Sequence, residues 1–140
     1  MSVHLFLDSN ILIYAAMKMG REPVKTPRAA EIVAQGDFGI SAQVLQEFFV
    51  NVTRKSPKNS NPMQVETAMA WIEMLVLQPC APVDTTVVKN AIVKSKRFMI
   101  DYWDAAILSA AESLGAETVY SEDLNHGQVY GSVRVVNPFR

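Results

Sequence analysis

Short apolar runs alternate along the chain with longer segments in which apolar residues recur every three to four positions. The short runs predict strands, and the longer segments predict amphipathic helices. We predict strands at residues 3–7, 38–40, 118–120 and 132–136, and helices at residues 10–17, 28–35, 42–53, 63–75, 85–96 and 104–114. Polar loops are expected at 20–27 and 56–62, and an extended segment at 76–82. This alternation predicts a three-layer α/β domain with a mainly parallel central sheet flanked by helices.

The length and composition of the chain fit one domain. Of its 140 residues, 49% are hydrophobic, which is enough for one well-filled core. No repeat or linker divides the sequence, so residues 1–140 are predicted to form a single domain. No apolar run approaches the roughly 20 residues of a membrane-spanning helix, and the chain opens into a strand without a basic leader. A cytoplasmic protein with no membrane association is therefore expected.

Cysteine and histidine are scarce in this sequence. Cys80 is the only cysteine, and His4 and His126 are the only histidines. An internal disulfide is therefore impossible, and a zinc site built from these two residue types is disfavoured. The net charge of −1 also lacks the basic balance usual in proteins that bind nucleic acids. An acidic pocket rimmed by basic residues would leave the same net charge. The positions of the charged residues must therefore decide whether nucleic-acid binding is plausible.

Three acidic residues are predicted to lie at one edge of the sheet. Asp8 follows the first strand, Asp123 lies just past the strand ending at residue 120, and Asp104 begins a helix that opens toward the same edge. Parallel α/β sheets bind their ligands at this carboxyl edge. Each acid also has an ordinary interpretation, because Asp8 suits a helix cap, Asp104 suits a helix dipole and Asp123 suits a polar loop. Glu122 competes with Asp123 for the same role.

Glu47 is a fourth acid, and it lies on an apolar helix face. Val44 and Phe48 share that face of the predicted helix at residues 42–53, which Ser41 is expected to cap. A carboxylate there is expected to be partly buried, and burial of an unpaired charge is costly. Glu47 should therefore be protonated, pair with Arg54 or Lys55 further along the chain, or bind a metal ion.

The four acids become informative as a set. Two unit charges about 4 Å apart repel by about 4 kcal/mol at an effective dielectric constant of about 20. Without a cation, the carboxylates would destabilise the fold or stay partly protonated. An all-oxygen site suits Mg²⁺ or Mn²⁺, and these ions support hydrolysis of phosphodiesters.

Several basic residues are candidate contacts for the phosphates of a nucleic acid. Neutralisation of backbone phosphates supplies much of the affinity of proteins for nucleic acids. Solvated helix faces are the alternative interpretation of the same residues. The candidates for RNA binding are Arg54, Lys55, Lys94 and Arg97.

The sequence resembles the PIN-domain proteins, and in particular the VapC-type toxic ribonucleases of bacterial toxin–antitoxin pairs. The resemblance runs nearly from end to end, and it is carried by four motifs in the order and spacing of that family. These motifs are LDSNILIY at residues 7–14, SAQVLQEF at 41–48 with TRK at 53–55, YWDAAI at 102–107, and YSEDL at 120–124. Ser9 stands where the family usually has threonine, a change that keeps the hydroxyl group.

The resemblance implies a PIN-like three-layer domain and an endoribonuclease that uses Mg²⁺ or Mn²⁺. It also implies a homodimer and inhibition by a cognate antitoxin protein. The catalytic and metal-binding acids of the family correspond by position to Asp8, Glu47, Asp104 and Asp123. The supporting polar residues are Ser9, Asn10 and Ser121.

Other functions remain open at this stage. A phosphatase with an aspartate nucleophile would need a second aspartate two residues after the first, where this chain has Asn10. Dinucleotide binding is disfavoured because no Gly-x-Gly-x-x-Gly motif follows the first strand. A catalytically silent PIN-like module that binds RNA or a partner protein is the main alternative, because a fold does not fix a function.

Overall fold

The computed structural model describes residues 3–17 and 22–140. In these ranges the chain forms helices and short strands in the predicted alternation. The strands are β1 (Leu5–Leu7), β2 (Ile40–Ser41), β3 (Cys80–Ala81), β4 (Thr118–Tyr120), β5 (Val129–Tyr130) and β6 (Val133–Val136). The helices are α1 (Ser9–Ala16), α2 (Lys25–Gln35), α3 (Ala42–Thr53), α4 (Val65–Leu75), α5 (Thr85–Phe98) and α6 (Tyr102–Ser113).

The strands form a four-stranded sheet and a two-stranded sheet. The larger sheet has the order β1-β4-β6-β5, in which only β5 is antiparallel to its neighbour, and β2 pairs with β3 in parallel. Helices pack around them, with α5 against α6, and α1 against both α2 and α3. This architecture confirms the predicted α/β class with a mainly parallel central sheet and flanking helices.

Gly39 joins the two sheets through its backbone. Its N–H donates to the carbonyl of Leu5 at 2.7 Å, and its carbonyl accepts from the N–H of Leu7 at 3.0 Å. A β-carbon at this position would lie 2.8 Å from Leu114 Cδ1 and 3.0 Å from Val3 Cγ1. The absence of a side chain at Gly39 therefore allows β1 and the segment before β2 to lie side by side.

A continuous core fills the space between the sheets and the helices. Phe6, Val119 and Val135 come from neighbouring strands of the larger sheet and are completely buried, as is Phe48 of α3. Strands that are covered on both faces are expected to be apolar along most of their length. The core fixes the strand ends, and these ends carry the acidic residues.

The structure corrects three predicted elements. Helix α2 begins at Lys25, three residues earlier than predicted, because Pro27 lies in the first turn, where its missing N–H costs no helical hydrogen bond. Helix α6 begins at Tyr102, since Asp101 caps it. Strand β5 was not predicted. Gly131, with φ of +64°, starts the two-residue turn that pairs β5 with β6.

Two other predictions need qualification. Of the extended segment predicted at 76–82, only Cys80–Ala81 is a strand, and residues 20–21 of the predicted loop at 20–27 lie outside the described residues.

In the ranges that the structure describes, no helix combines the length and the apolar character needed to cross a membrane.

Candidate active site

Asp8 lies at the carboxyl end of β1 and is almost completely buried, with 4% of its surface exposed. Its Oδ1 accepts a hydrogen bond from the N–H of Ser9 at 2.7 Å, and its Oδ2 accepts one from the hydroxyl of Ser121 at 2.7 Å. Asp8 is thus the N-cap of α1, as its ordinary interpretation required. The second carboxylate oxygen is held by the residue that follows β4.

Burial makes ionisation of Asp8 unfavourable. It raises the pKa of this carboxyl from its ordinary value of 3.8 to about 7. The hydrogen bonds from Ser121 and Ser9 lower the pKa, and the negative charges of Asp123 and Glu47 raise it again. Near neutral pH, a cation beside Asp8 would favour its charged form.

Glu47 is half-buried on α3 and is held by two side chains. Its Oε1 accepts from the hydroxyl of Ser9 at 2.9 Å, and its Oε2 accepts from the amide of Gln43 at 3.0 Å. That amide also donates to the backbone carbonyl of Trp103, at 3.2 Å. None of the ion pairs among the described residues joins Glu47 to Arg54 or Lys55. The ion-pair alternative for Glu47 is therefore wrong.

Gln43 was not singled out from the sequence. It precedes Glu47 by four residues on the same helix, so that their side chains lie on one face. Its amide links α3 to the start of α6 through Trp103. The four-residue spacing could have indicated the contact between Gln43 and Glu47. The contact with Trp103 depends on the packing of elements that are distant in sequence.

Asp104 lies in the first turn of α6, next to the capping residue Asp101. Partial burial raises the pKa of Asp104 to about 6, and the charges of Asp123, Asp101 and Glu47 add to the effect. The carboxylates of Asp123 and Glu47 therefore lie close enough to Asp104 to disfavour its ionisation. Asp101 itself accepts a hydrogen bond from the N–H of Trp103 at 2.7 Å.

Asp123 and Glu122 have different partners. The exposed Asp123 accepts from the amide of Asn10 at 3.1 Å, and its N–H donates to the Ser121 hydroxyl at 3.1 Å. Glu122 accepts from the Tyr14 hydroxyl at 2.6 Å and from the Lys25 ammonium at 2.9 Å. Asp123 thus shares the acidic cluster, whereas Glu122 is neutralised by a neighbouring lysine.

The polar residues predicted as supports each contact an acid. Ser9 donates to Glu47, Asn10 donates to Asp123, and Ser121 donates to Asp8. The Oδ1 atom of Asn10 is buried and has no hydrogen-bond partner, an arrangement that is costly unless a ligand completes it. The structure therefore supplies one further oxygen that a cation or a water molecule would satisfy.

The donor set fits a hard divalent cation by its chemistry. Its atoms are carboxylate, amide and hydroxyl oxygens, which Mg²⁺ and Mn²⁺ prefer. In the described residues, no three acidic, histidine or cysteine side chains already converge on one point as metal ligands. Binding of a cation would therefore have to draw the carboxylates together against their present hydrogen bonds.

The four predicted RNA contacts lie in different environments. Arg54 and Lys55 are exposed at the end of α3. Lys94 forms an ion pair with Glu112, and only 13% of its side chain is exposed. Arg97 lies 5.0 Å from the ring centre of Phe98. The ion pair of Lys94 favours a structural role for that residue, and the other three stay predictions.

Solved structures with the same fold cover nearly the whole chain. A toxin–antitoxin complex from Klebsiella pneumoniae is 15% identical, with a TM-score of 0.68 over 96% of this chain and 97% of the other. VapC20 of Mycobacterium tuberculosis, described as a toxin that cleaves the sarcin-ricin loop, is 16% identical, with a TM-score of 0.64 over 85% and 89%. DNA-bound VapBC of Salmonella typhimurium is 18% identical, with a TM-score of 0.64 over 95% and 96%.

No curated protein matches the sequence closely enough to count as a relative. The model of one protein family does match, and its description is PIN domain. The match extends over residues 5–131 and so includes all four acids of the cluster. The chain therefore belongs to the PIN domain family.

Proposed function

We propose that the protein is a Mg²⁺- or Mn²⁺-dependent endoribonuclease and the toxin of a toxin–antitoxin pair. The observation that carries this proposal is the acidic cluster at the carboxyl edge of the sheet, where burial and mutual repulsion raise the pKa of Asp8 and of Asp104. Strongly perturbed carboxyl groups often mark functional sites. A bound cation would relieve the repulsion, and an RNA phosphate would complete its coordination.

In the proposed mechanism, Asp8, Glu47 and Asp104 would hold the cation. When bound, it lowers the pKa of a water molecule and offsets charge on the phosphate. Asp123 would either share a second ion or orient the attacking water. The water would attack phosphorus in line and lose a proton, while the bond from phosphorus to the 3′ oxygen breaks and that oxygen takes up a proton. The products are a 5′-phosphate and a 3′-hydroxyl end.

The hydrogen bonds of the site hold the carboxylates of Asp8 and Glu47 in defined orientations. Ser121 holds Asp8 at 2.7 Å, and Ser9 and Gln43 hold the two oxygens of Glu47. Such outer partners orient metal ligands, and their loss typically costs about 10- to 100-fold in affinity or activity. These hydrogen bonds set the orientation from which the carboxylates of Asp8 and Glu47 would move to bind the metal.

An antitoxin protein is the proposed partner, and the proposed assembly is a homodimer. Two of the structural neighbours are a toxin–antitoxin complex and a VapBC assembly bound to DNA. The neighbour that cleaves the sarcin-ricin loop acts on RNA. These likenesses support the choice of RNA as substrate over other phosphodiesters.

The test is cleavage of RNA by the purified protein with Mg²⁺ or Mn²⁺, with and without EDTA. We expect cleavage that EDTA abolishes, and loss of cleavage in Asp8→Asn and in Asp104→Asn. Asp84→Asn is the matched control, because Asp84 caps α5 outside the cluster and asparagine caps helices equally well. Metal-independent cleavage, or full activity in both site variants, would overturn the proposed site.

The toxin role needs a separate experiment in cells. Expression of the wild type is expected to stop growth, whereas expression of Asp8→Asn is not. Normal growth with both proteins would count against the toxin role but would leave the nuclease chemistry standing. RNA binding without any cleavage would favour the silent module.

A further inference from the structure

A groove of about 460 Å³ opens beside the acidic cluster. Ile13 and Tyr14 of α1 line one side of it, and Arg54 and Lys58, which follow α3, line the other. Asn10 lies in the wall of the groove and donates to Asp123 at 3.1 Å. Asn10 therefore borders both the groove and the proposed site of cleavage.

The wall formed by α1 is held in place by other elements. The hydroxyl of Tyr14 donates to Glu122 at 2.6 Å, and its ring packs edge-on against Phe139, with the ring centres 5.3 Å apart. Lys25 lies 5.2 Å from the centre of the same ring and forms an ion pair with Glu122. Tyr14 is therefore fixed before any ligand arrives.

The opposite wall is a short loop with its own hydrogen bonds. The backbones of Ser56 and Asn59 bond to each other in both directions, at 3.0 and 2.9 Å. The amide of the buried Asn59 donates to the carbonyls of Asn51, Val52 and Arg54, each at 3.2 Å. A groove with two ordered walls binds without a large cost of ordering.

The lining of the groove combines apolar surface with cations. Both Arg54 and Lys58 are exposed, and neither takes part in the ion pairs of the described residues. The volume lies within the roughly 300–1,000 Å³ of pockets that hold one small ligand. A flat, partly apolar group that carries negative charge fits this lining, and a nucleotide has both properties.

We propose that the groove binds one nucleotide of single-stranded RNA next to the phosphodiester that is cut. Its base lies against Ile13 and Tyr14, and its phosphate lies near Arg54 and Lys58. The two cations offset the repulsion that the acidic cluster exerts on the RNA. This inference rests on the proposed ribonuclease function and adds a substrate contact to it.

Variants that fill the groove or remove its charge test this inference. Asn51→Trp places a large ring at an exposed position in the groove wall, and Val50→Trp is its control, because Val50 lines a separate apolar groove with Leu45 and Phe49. Arg54→Ala and Lys58→Ala remove the charges, with the exposed Lys89 of α5 changed to alanine as the control.

Binding and cleavage are measured separately. The dissociation constant of a labelled single-stranded oligoribonucleotide is measured with each change in an Asp104→Asn background, which prevents cleavage. The kcat and KM are measured with each change in the otherwise unaltered protein. We expect Asn51→Trp to raise the dissociation constant and KM about tenfold, the weight of one lost base contact, with kcat within about twofold.

For the charge variants, the salt dependence of RNA binding is measured as well. It distinguishes the loss of a phosphate contact from a loss of stability. Each should reduce the slope of log binding constant against log salt by about 0.7, the value for one phosphate contact of a single strand. Val50→Trp and Lys89→Ala should keep the wild-type slope and affinity. An unchanged slope in Arg54→Ala and Lys58→Ala would overturn the phosphate contact.

The outcomes separate this inference from the proposed function. If the wild type cleaves RNA and Asn51→Trp binds RNA equally well, the groove proposal fails and the ribonuclease stands. If the wild type does not cleave but binding depends on the groove, the ribonuclease fails, and the groove stands as an RNA-binding site without a place beside a cleaved bond. Loss of antitoxin binding in Asn51→Trp, with RNA binding intact, would assign the groove to a protein partner and overturn the proposal.

Discussion

Asp8 and Asp123 belong to one acidic cluster but differ in burial and in hydrogen bonding. Asp8 is buried, accepts two hydrogen bonds of 2.7 Å, and has a pKa of about 7. Asp123 is exposed in the loop after β4 and is held by the amide of Asn10. Ser121 connects them, because its hydroxyl donates to Asp8 and accepts from the N–H of Asp123.

This difference in burial predicts different roles for the two acids. Asp8 needs a cation to compensate its charge when it is ionised, whereas Asp123 does not. A buried carboxylate is either protonated or compensated, because its charge is poorly solvated. An exposed carboxylate keeps its hydration and can move toward or away from a ligand at little cost. We therefore expect metal binding to depend mainly on Asp8, and Asp123 to have the smaller effect.

The largest expected contrast is in catalytic rate. Asp8→Asn should lower kcat for RNA cleavage by about 1,000-fold or more, and Asp123→Asn by about 10- to 100-fold, since the first would remove a proposed metal ligand and the second a proposed supporting group. Glu122→Gln should change kcat by less than about threefold, because Glu122 is already occupied by Tyr14 and Lys25. Steady-state cleavage at saturating RNA and Mg²⁺ measures kcat for all three variants.

Two results would break the contrast between Asp8 and Asp123. Equal losses in Asp8→Asn and Asp123→Asn would show that exposure does not rank the acids. A greater loss in Glu122→Gln than in Asp123→Asn would transfer the role of the fourth acid to Glu122.

The second contrast is in stability. A metal ion at 100 times its dissociation constant should raise the free energy of unfolding by about 2.7 kcal/mol. Asp123→Asn should keep most of this gain, and Asp8→Asn should lose it. Thermal unfolding followed by circular dichroism, with Mn²⁺ or with EDTA, provides the measurement. Asp84→Asn is again the control and should behave as the wild type.

The smallest effect concerns pH in the absence of metal. The folded-state pKa of Asp8, about 7, is above its ordinary value of 3.8, so the folded state binds this proton more tightly than the unfolded state does. The resulting stability is fully present below about pH 4 and is lost as the pH rises through about 7. In EDTA, the wild type should therefore unfold at a lower temperature at pH 8 than at pH 5.5.

Asp8→Asn isolates the contribution of this one carboxyl. Its unfolding temperature should depend less on pH over the same range, and at pH 8 it should exceed that of the metal-free wild type. The pKa of Asp104, about 6, acts in the same direction from a half-buried position. Parallel pH profiles for the wild type and Asp8→Asn would show that the proton of Asp8 does not control stability.

The sequence was sufficient to predict that Asp8 and Asp123 lie at the same edge of the sheet. Asp8 and Asp123 follow parallel strands, and the carboxyl ends of such strands lie at one edge. Glu47 was placed by its apolar neighbours, and the structure finds it half-buried. These predictions agree with the structure because strand ends and helix faces follow from local patterns of apolar and polar residues.

The partners of the acids were harder to predict, because they come from distant parts of the chain. Ser9 was expected to support a metal site, but its bond to Glu47 joins residues 38 positions apart. The loop at residues 56–59 was expected, yet its hydrogen bonds and the groove that it forms with α1 depend on three-dimensional packing. Strand β5 has only two residues, too few for a clear alternation of apolar and polar positions.

The backbone hydrogen bonds of Gly39 bear on which substitutions this chain can tolerate. Because main-chain hydrogen bonds link Gly39 to Leu5 and Leu7, the offset between the end of β1 and the start of α3 does not depend on which side chains fill the core. Asp8 follows β1 directly, and Glu47 lies in the second turn of α3. Evolution can therefore replace most of the surrounding residues and keep both acids in position, provided that position 39 remains free of a side chain.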